Sequence, residues 1–305
     1  MKRAQVTLLA GWLLCGHPAV GAAEPLRVVA TLSTFADLAT AVGGEEVAVS
    51  AIASPKFNAH FIEPKPSDVL KAKRAQLLIH GGLDLEAWRG PLLDAAGNTK
   101  LFPGQPGELD LSVGLTLLEV PTGPLSRAQG DIHLYGNPHY WLGPDNVKIM
   151  ARTICDKLCA IDPQHEQAYH QRLREFLARL EQKVPEWRAR LAPYQGRELI
   201  GYHNEWPYLM EFAGLRMEQY LEPKPGIPPT PKHLELLERY IEERHVPAVV
   251  QATYVSRQAA DALAKRTGAR VVLLCQSVGE LPACADYVAM IDYNVTQLAG
   301  ALDHD

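Results

Sequence analysis

Apolar positions recur along the chain in short β-branched runs separated by stretches with helical spacing. Leu26–Leu32 (LRVVATL) reads as a buried strand, Thr34–Val42 as a helix, Val47–Ile52 as a second strand and Gln76–Ile79 as a third. A short helix over Asp68–Arg74 has Ser67 as its predicted N-cap. Gly104–Gly114 and Pro121–Gln129 read as loops, with a strand between them over Leu115–Val120. Asp145 is expected to cap a helix that carries Val147, Met150, Ile154 and Leu158 on one face. After it comes the most legible helix in the chain. Asp162 is its predicted N-cap and Pro163 its first residue, followed by Tyr169, Leu173, Phe176, Leu177, Leu180, Val184, Trp187 and Leu191 at three- and four-residue steps. About 28 residues make roughly 42 Å of helix, which Pro185 is expected to kink or end.

The second half repeats the style of the first. Strands are predicted over Glu198–Tyr202, Arg216–Leu221, Pro247–Gln251 and Arg270–Leu274. Helices are predicted over Asn204–Phe212, from Thr230 to about Glu243, over Arg257–Thr267 and over Asp286–Leu302. Strand and helix alternate, which predicts an α/β fold of two (βα) lobes with parallel-type sheets joined by one long backbone helix. The corresponding division is 1–23, 24–161 (N-terminal lobe), 162–192 (linking helix) and 193–305 (C-terminal lobe).

Residues 1–23 stand apart. Lys2 and Arg3 precede the apolar run Val6–Leu14, and small residues follow up to Ala23. That order predicts a secretory signal peptide cleaved near Ala23, and so a periplasmic protein. The run is shorter than the roughly 20 residues a membrane span needs, and Leu14 directly before Cys15 fits lipoprotein processing poorly. The formal net charge of −5 offers no basic footprint for nucleic acid.

Eleven histidines are present, and three sit where turns or strand ends would aim them. His60 lies in FNAHFIEPKPSD beyond the second strand, His139 follows the turn Gly136-Asn137-Pro138, and His203 ends the run ELIGYH. Ligands of open α/β sheets gather beyond the carboxyl ends of strands, and three imidazoles with one more position are what a zinc ion takes. His80 is a reserve candidate; His165, His170, His233 and His245 read as solvated helix residues. Glu63, Asp131, His133 and Glu205 lie close to the three histidines in sequence and are expected to orient them. Cys275 and Cys284 flank a turn and are placed to pair as a disulfide. Cys155 and Cys159, four apart in a helix, are poorly placed to pair with each other, and the cysteine spacing supports a zinc site only weakly.

With these segments in view, the chain resembles the solute-binding proteins of zinc and manganese ABC transporters. The resemblance is carried by VVATLSTFADLA, NAHFIEPKPSD, GNPHYWLGP, the long helix and GYHNEWPYL. It implies that His60, His139 and His203 ligate a metal in a cleft between two lobes, that the protein is a monomer and not an enzyme, and that it delivers the metal to a membrane permease; a metallochaperone is a further partner class. The family often supplies an Asp or Glu as fourth ligand where Gln276 stands here, with water, Glu205 and Glu280 as the alternatives. Nitrogen donors favour Zn2+ over Mn2+. The competing accounts are a Mn2+ receptor, a surface adhesin on the same scaffold, and a three-histidine zinc hydrolase, which would lack both an HExxH helix and a clear general base.

Overall fold

The computed structural model describes residues 24–123, 133–224 and 226–303. The segment 1–23, expected to be a leader, and Asp131 lie outside the described residues. The first half contains β1 (Leu26–Ala30), α1 (Ser33–Gly43), β2 (Val47–Ala51), α2 (Pro66–Arg74), β3 (Leu77–His80), α3 (Arg89–Ala96), β4 (Glu108–Asp110) and α4 (Pro144–Ile161). Then come α5 (Glu166–Leu191), β5 (Glu198–Gly201), α6 (Pro207–Ala213), β6 (Arg216–Tyr220), α7 (Pro231–Arg244), β7 (Ala248–Ala252), α8 (Gln258–Thr267), β8 (Arg270–Leu274) and α9 (Tyr287–Leu302). The strands form two parallel sheets in the orders β2-β1-β3-β4 and β6-β5-β7-β8. Each sheet reverses its direction of growth beside its first strand. The carboxyl ends of β1 and β3, and of β5 and β7, therefore open onto the crevices where such sheets bind ligands.

Several local expectations fail for identifiable reasons. Leu115–Val120 is not a strand: its backbone serves side chains and a neighbouring loop, with Leu118 N donating to Tyr208 Oη at 3.0 Å and Leu118 O accepting from Asn137 N at 2.9 Å. The strand lies instead in the expected loop, where Glu108–Asp110 pairs with β3 in only three half-buried residues. α3 carries no strong amphipathic period, so the apolar pattern does not mark it. Ser67 does not cap α2. Pro66 takes the first position, where a missing N–H costs nothing, and Asp68 Oδ2 accepts from Lys65 N at 3.0 Å. α4 likewise starts at Pro144, and Asp145 sits inside its first turn.

The long helix runs unbroken through Pro185. A helix-interior proline costs about 3 kcal/mol, and a fully buried Leu, Val or Phe side chain returns roughly 1.5–3 kcal/mol. The buried stripe Tyr169, Leu173, Phe176, Leu180, Val184, Trp187 and Leu191 outweighs one lost bond. Its start is a 3-10 turn over Pro163–His165, so Asp162 precedes that turn rather than the α-helix. Asp162 instead holds His165 Nδ1 and Tyr169 Oη, each at 2.6 Å.

The two halves share one apolar core, which runs from Leu26 to Leu302 and includes α1, α4, α5 and α9. Polar links cross it. Ser33 Oγ donates to Val278 O at 2.8 Å, Val278 N to Thr34 Oγ1 at 3.1 Å, and Tyr287 N to Asp37 Oδ2 at 3.0 Å. Trp141 Nε1 donates to Gln276 O at 2.8 Å, and Tyr287 Oη donates to Trp141 O at 3.0 Å. A smaller cluster with Ile200, Leu221, Leu237 and Leu263 fills the other face of the second sheet.

Candidate metal centre

Four imidazoles, not three, meet between the halves. His60 lies in a 3-10 turn after β2, where Asn58 Oδ1 accepts from His60 N at 2.9 Å. His139 follows Gly136, whose φ of 112° is closed to residues with a Cβ; an added Cβ would also stand 3.2 Å from Leu118 O. His203 lies two residues past the end of β5. His133, expected to orient the other three, stands among them instead. All six ring-centroid separations within the set fall between 5.2 and 6.3 Å. His60, His139 and His203 are buried and His133 is half-buried.

Three of the four, His60, His133 and His139, have donor atoms at metal-site spacing. His60 Nε2 and His139 Nε2 are 3.3 Å apart. A tetrahedral zinc with bonds of about 2.0–2.1 Å has N···N edges of about 3.3–3.4 Å. His60, His133 and His139 each bring a nitrogen within 4.8 Å of the others.

Hydrogen bonds fix the tautomers. Asn137 Nδ2 donates to Glu119 Oε2 and Asn204 O, both at 3.0 Å, so Asn137 Oδ1 is the acceptor facing His139. That oxygen accepts from His139 N at 3.0 Å and lies 2.9 Å from Nδ1, which therefore carries the proton and leaves an Nε2 lone pair toward the cluster. Glu222 Oε2, 2.8 Å from His203 Nδ1, does the same for the second lobe's imidazole. These two residues take the orienting role expected of Glu63 and Glu205. Glu63 is exposed. Glu205 Oε2 accepts instead from Gln276 Nε2 at 3.0 Å and Tyr254 Oη at 3.2 Å. Glu222→Ala is therefore expected to weaken metal binding about 10–100-fold with little change in the melting temperature of metal-free protein, as calorimetric titration and a thermal melt would show.

Burial sets the electrostatics. Desolvation, helped by the neighbouring imidazoles, holds His60 and His139 well below the ordinary histidine value. It takes His133 down to about 3, with His203 adding to the effect. Neutral imidazole is the form that ligates. Trp141, its ring 5.3 Å from that of His139, walls the cluster on its buried side, and the buried Tyr140, whose Oη donates to Gly81 O at 2.6 Å, packs edge-on against Trp141.

The remaining candidates are engaged elsewhere. Gln276 is buried and holds Glu205 and Tyr254 through its side chain, with no hydrogen bond to an imidazole of the cluster. Burial pushes the Glu205 carboxyl up to about 7 against the pull of His203, and its Oε1 has no hydrogen-bond partner. Glu280 fastens a loop, accepting from Thr253 N, Gln276 N and Ser277 N at 2.7–3.1 Å. His80 Nε2 lies 2.8 Å from Glu108 Oε1 and 2.7 Å from Arg89 Nη1, in a separate ionic group. Cys275 and Cys284 are buried with their sulfurs 2.7 Å apart, adjacent as the expected pairing requires. His170, read from sequence as solvated, lies against Cys155 and Cys159.

A family model described as "ZnuA: Zinc-uptake complex component A periplasmic" matches residues 28–301. The chain is 27% identical to the iron-binding protein YfeA of Yersinia pestis over 286 residues, covering 91% of this chain and 86% of that one. It is 23% identical to the manganese ABC transporter substrate-binding lipoprotein PsaA of Streptococcus mitis, covering 94% and 92%. Among solved structures, a crystal structure of ZnuA superposes with a TM-score of 0.76 at 26% identity, covering 91% of this chain and 99% of that one.

Proposed function

The chain belongs to the zinc-uptake complex component A periplasmic family, substrate-binding receptors of ABC transporters rather than enzymes, and we propose that this protein captures Zn2+ outside the cytoplasm for its permease. The observation that carries the zinc reading is the all-imidazole cluster of His60, His133, His139 and His203. Imidazole nitrogen suits zinc, whereas manganese takes oxygen-rich surroundings. In this reading all four histidines are ligands and Gln276 is not. The manganese and iron named for the relatives are the competing cargoes.

Capture needs little rearrangement. Asn137 and Glu222 hold Nδ1 protons on His139 and His203, which leaves each Nε2 to ligate; the nitrogens of His60, His133 and His139 already meet, and His203 closes on them from the second half. Burial keeps His60, His133 and His139 neutral, so an arriving cation displaces few protons. His133, the half-buried member, marks the side from which the ion enters.

The test is a thermal melt of chelator-stripped protein. Zinc at a thousandfold excess over its Kd adds about 4 kcal/mol, which raises the melting temperature by roughly 7 °C for a chain of this length. Equal Mn2+ should leave the melt near that of the metal-free protein. A comparable rise with Mn2+ would overturn the zinc assignment, and no rise with either ion would overturn the site.

A further inference from the structure

A second group of metal-ligating side chains lies on α4 and α5, away from the imidazole cluster. Cys155 and Cys159 are one turn apart on α4, with their sulfurs 4.0 Å from each other. His170, from the second turn of α5, lays its ring across both: Nδ1 is 3.5 Å from Cys155 Sγ and Nε2 is 3.9 Å from Cys159 Sγ. One donor atom from each of the three lies within 4.8 Å of the others. Glu166, one turn before His170, places Oε1 3.5 Å from His170 Nε2. Cys155 lies eleven residues into a helix that begins five residues after His139, or about 16 Å along its axis.

These spacings are those of a small tetrahedral site. Zinc bonds of about 2.3 Å to sulfur and 2.0–2.1 Å to nitrogen give edges of about 3.8 Å between sulfurs and about 3.6 Å between sulfur and nitrogen. One ring presents one nitrogen to an ion. The shorter approach selects Nδ1, which leaves Nε2 to donate toward Glu166, the arrangement in which a carboxylate steadies a ligating imidazole. Two cysteines one helical turn apart are poorly placed for a disulfide, so oxidation does not readily consume the pair.

We propose that Cys155, Cys159 and His170 form a second cation site, a thiolate–imidazole centre for Zn2+ that pins α4 to α5. Loading the site transfers two thiol protons to solvent as two sulfur–zinc bonds form, with water in the open position.

Reduced, chelator-stripped protein titrated with Co2+, a coloured stand-in for Zn2+, tests the proposal. Wild type should take up two equivalents, one of which brings sulfur-to-cobalt charge-transfer absorbance that added Zn2+ bleaches. His139→Ala should lose the equivalent without that band and keep the band. Cys155→Ser/Cys159→Ser should lose the band and keep the other equivalent, which also shows that this variant is folded. His170→Ala, which removes a partly exposed ring, should weaken the band-forming site at least about 10-fold, by analogy with the loss of supporting partners. Absence of the band from fully reduced wild type would overturn the proposal. So would a band that survives the double serine substitution, which would place it on Cys275 and Cys284. Failure of the imidazole site would appear separately, as loss of the bandless equivalent.

Discussion

His139→Ala should reduce zinc affinity by more than the roughly 10–100-fold that loss of an orienting partner costs. His139 is the fully buried member of the cluster, its Nε2 is 3.3 Å from that of His60, and its Nδ1 is held by Asn137. Alanine removes the donor and leaves a void that water cannot fill with equivalent geometry. His60→Ala and His203→Ala should follow closely. His133→Ala separates a four-imidazole site from a three-imidazole one. It should cost as much as loss of a ligand, while Gln276→Ala should leave zinc affinity within a few-fold. Competition titration on stripped protein ranks the five variants. A ranking with Gln276 severe and His133 mild would return the fourth position to the glutamine.

Acid should both release the metal and destabilise the empty protein. The unfolded chain protonates its histidines near pH 6.5, whereas His60 and His139 titrate well below that in the fold, and His133 near 3. Between those values the unfolded state binds more protons, so stability rises with pH. The contribution is fully present above about pH 6.5 and is lost as the pH falls from there toward the folded values. Each histidine held neutral contributes a slope of up to about 1.4 kcal/mol per pH unit. Urea midpoints of metal-free protein at pH 7.5 and pH 5 read this directly, and His133→Gln should flatten the dependence. Equal midpoints at the two pH values would show that the fold does not keep these rings neutral.

The framework of the fold was legible because strand-forming runs and helical stripes are local. Arg270–Leu274 is β8 from end to end, and the apolar stripe of α5 lies where its spacing put it. What escaped was decided by tertiary neighbours. Glu108–Asp110 becomes a strand only because β3 offers an edge. Glu222 sits in a proline-rich loop nineteen residues from His203, with nothing local to mark it. Parallel pairing of Gly201 with Tyr220 carries it there, since each residue lies two positions beyond its register partner. Given the pairing of β5 with β6, that contact could have been read from sequence. His133 had no strand or turn to aim it, and His170 lies on a helix face that looks polar until α4 presents two cysteines opposite. Glu63 failed in the opposite way: it is adjacent in sequence to a cluster that the chain has already turned away from.

The apolar interior that α1, α4, α5 and α9 hold in common has a bearing on transport. Halves joined along such a seam would be expected to move little against each other on binding, so that empty and laden molecules would present nearly the same silhouette. On the proposed function, a permease would then have to tell them apart by a few atoms at the rim, near His60 and the loop that carries Glu222. An unladen molecule that docked in vain would then occupy the same berth as a laden one. Flux through the transporter would therefore follow the ratio of the two forms rather than the abundance of the laden form alone.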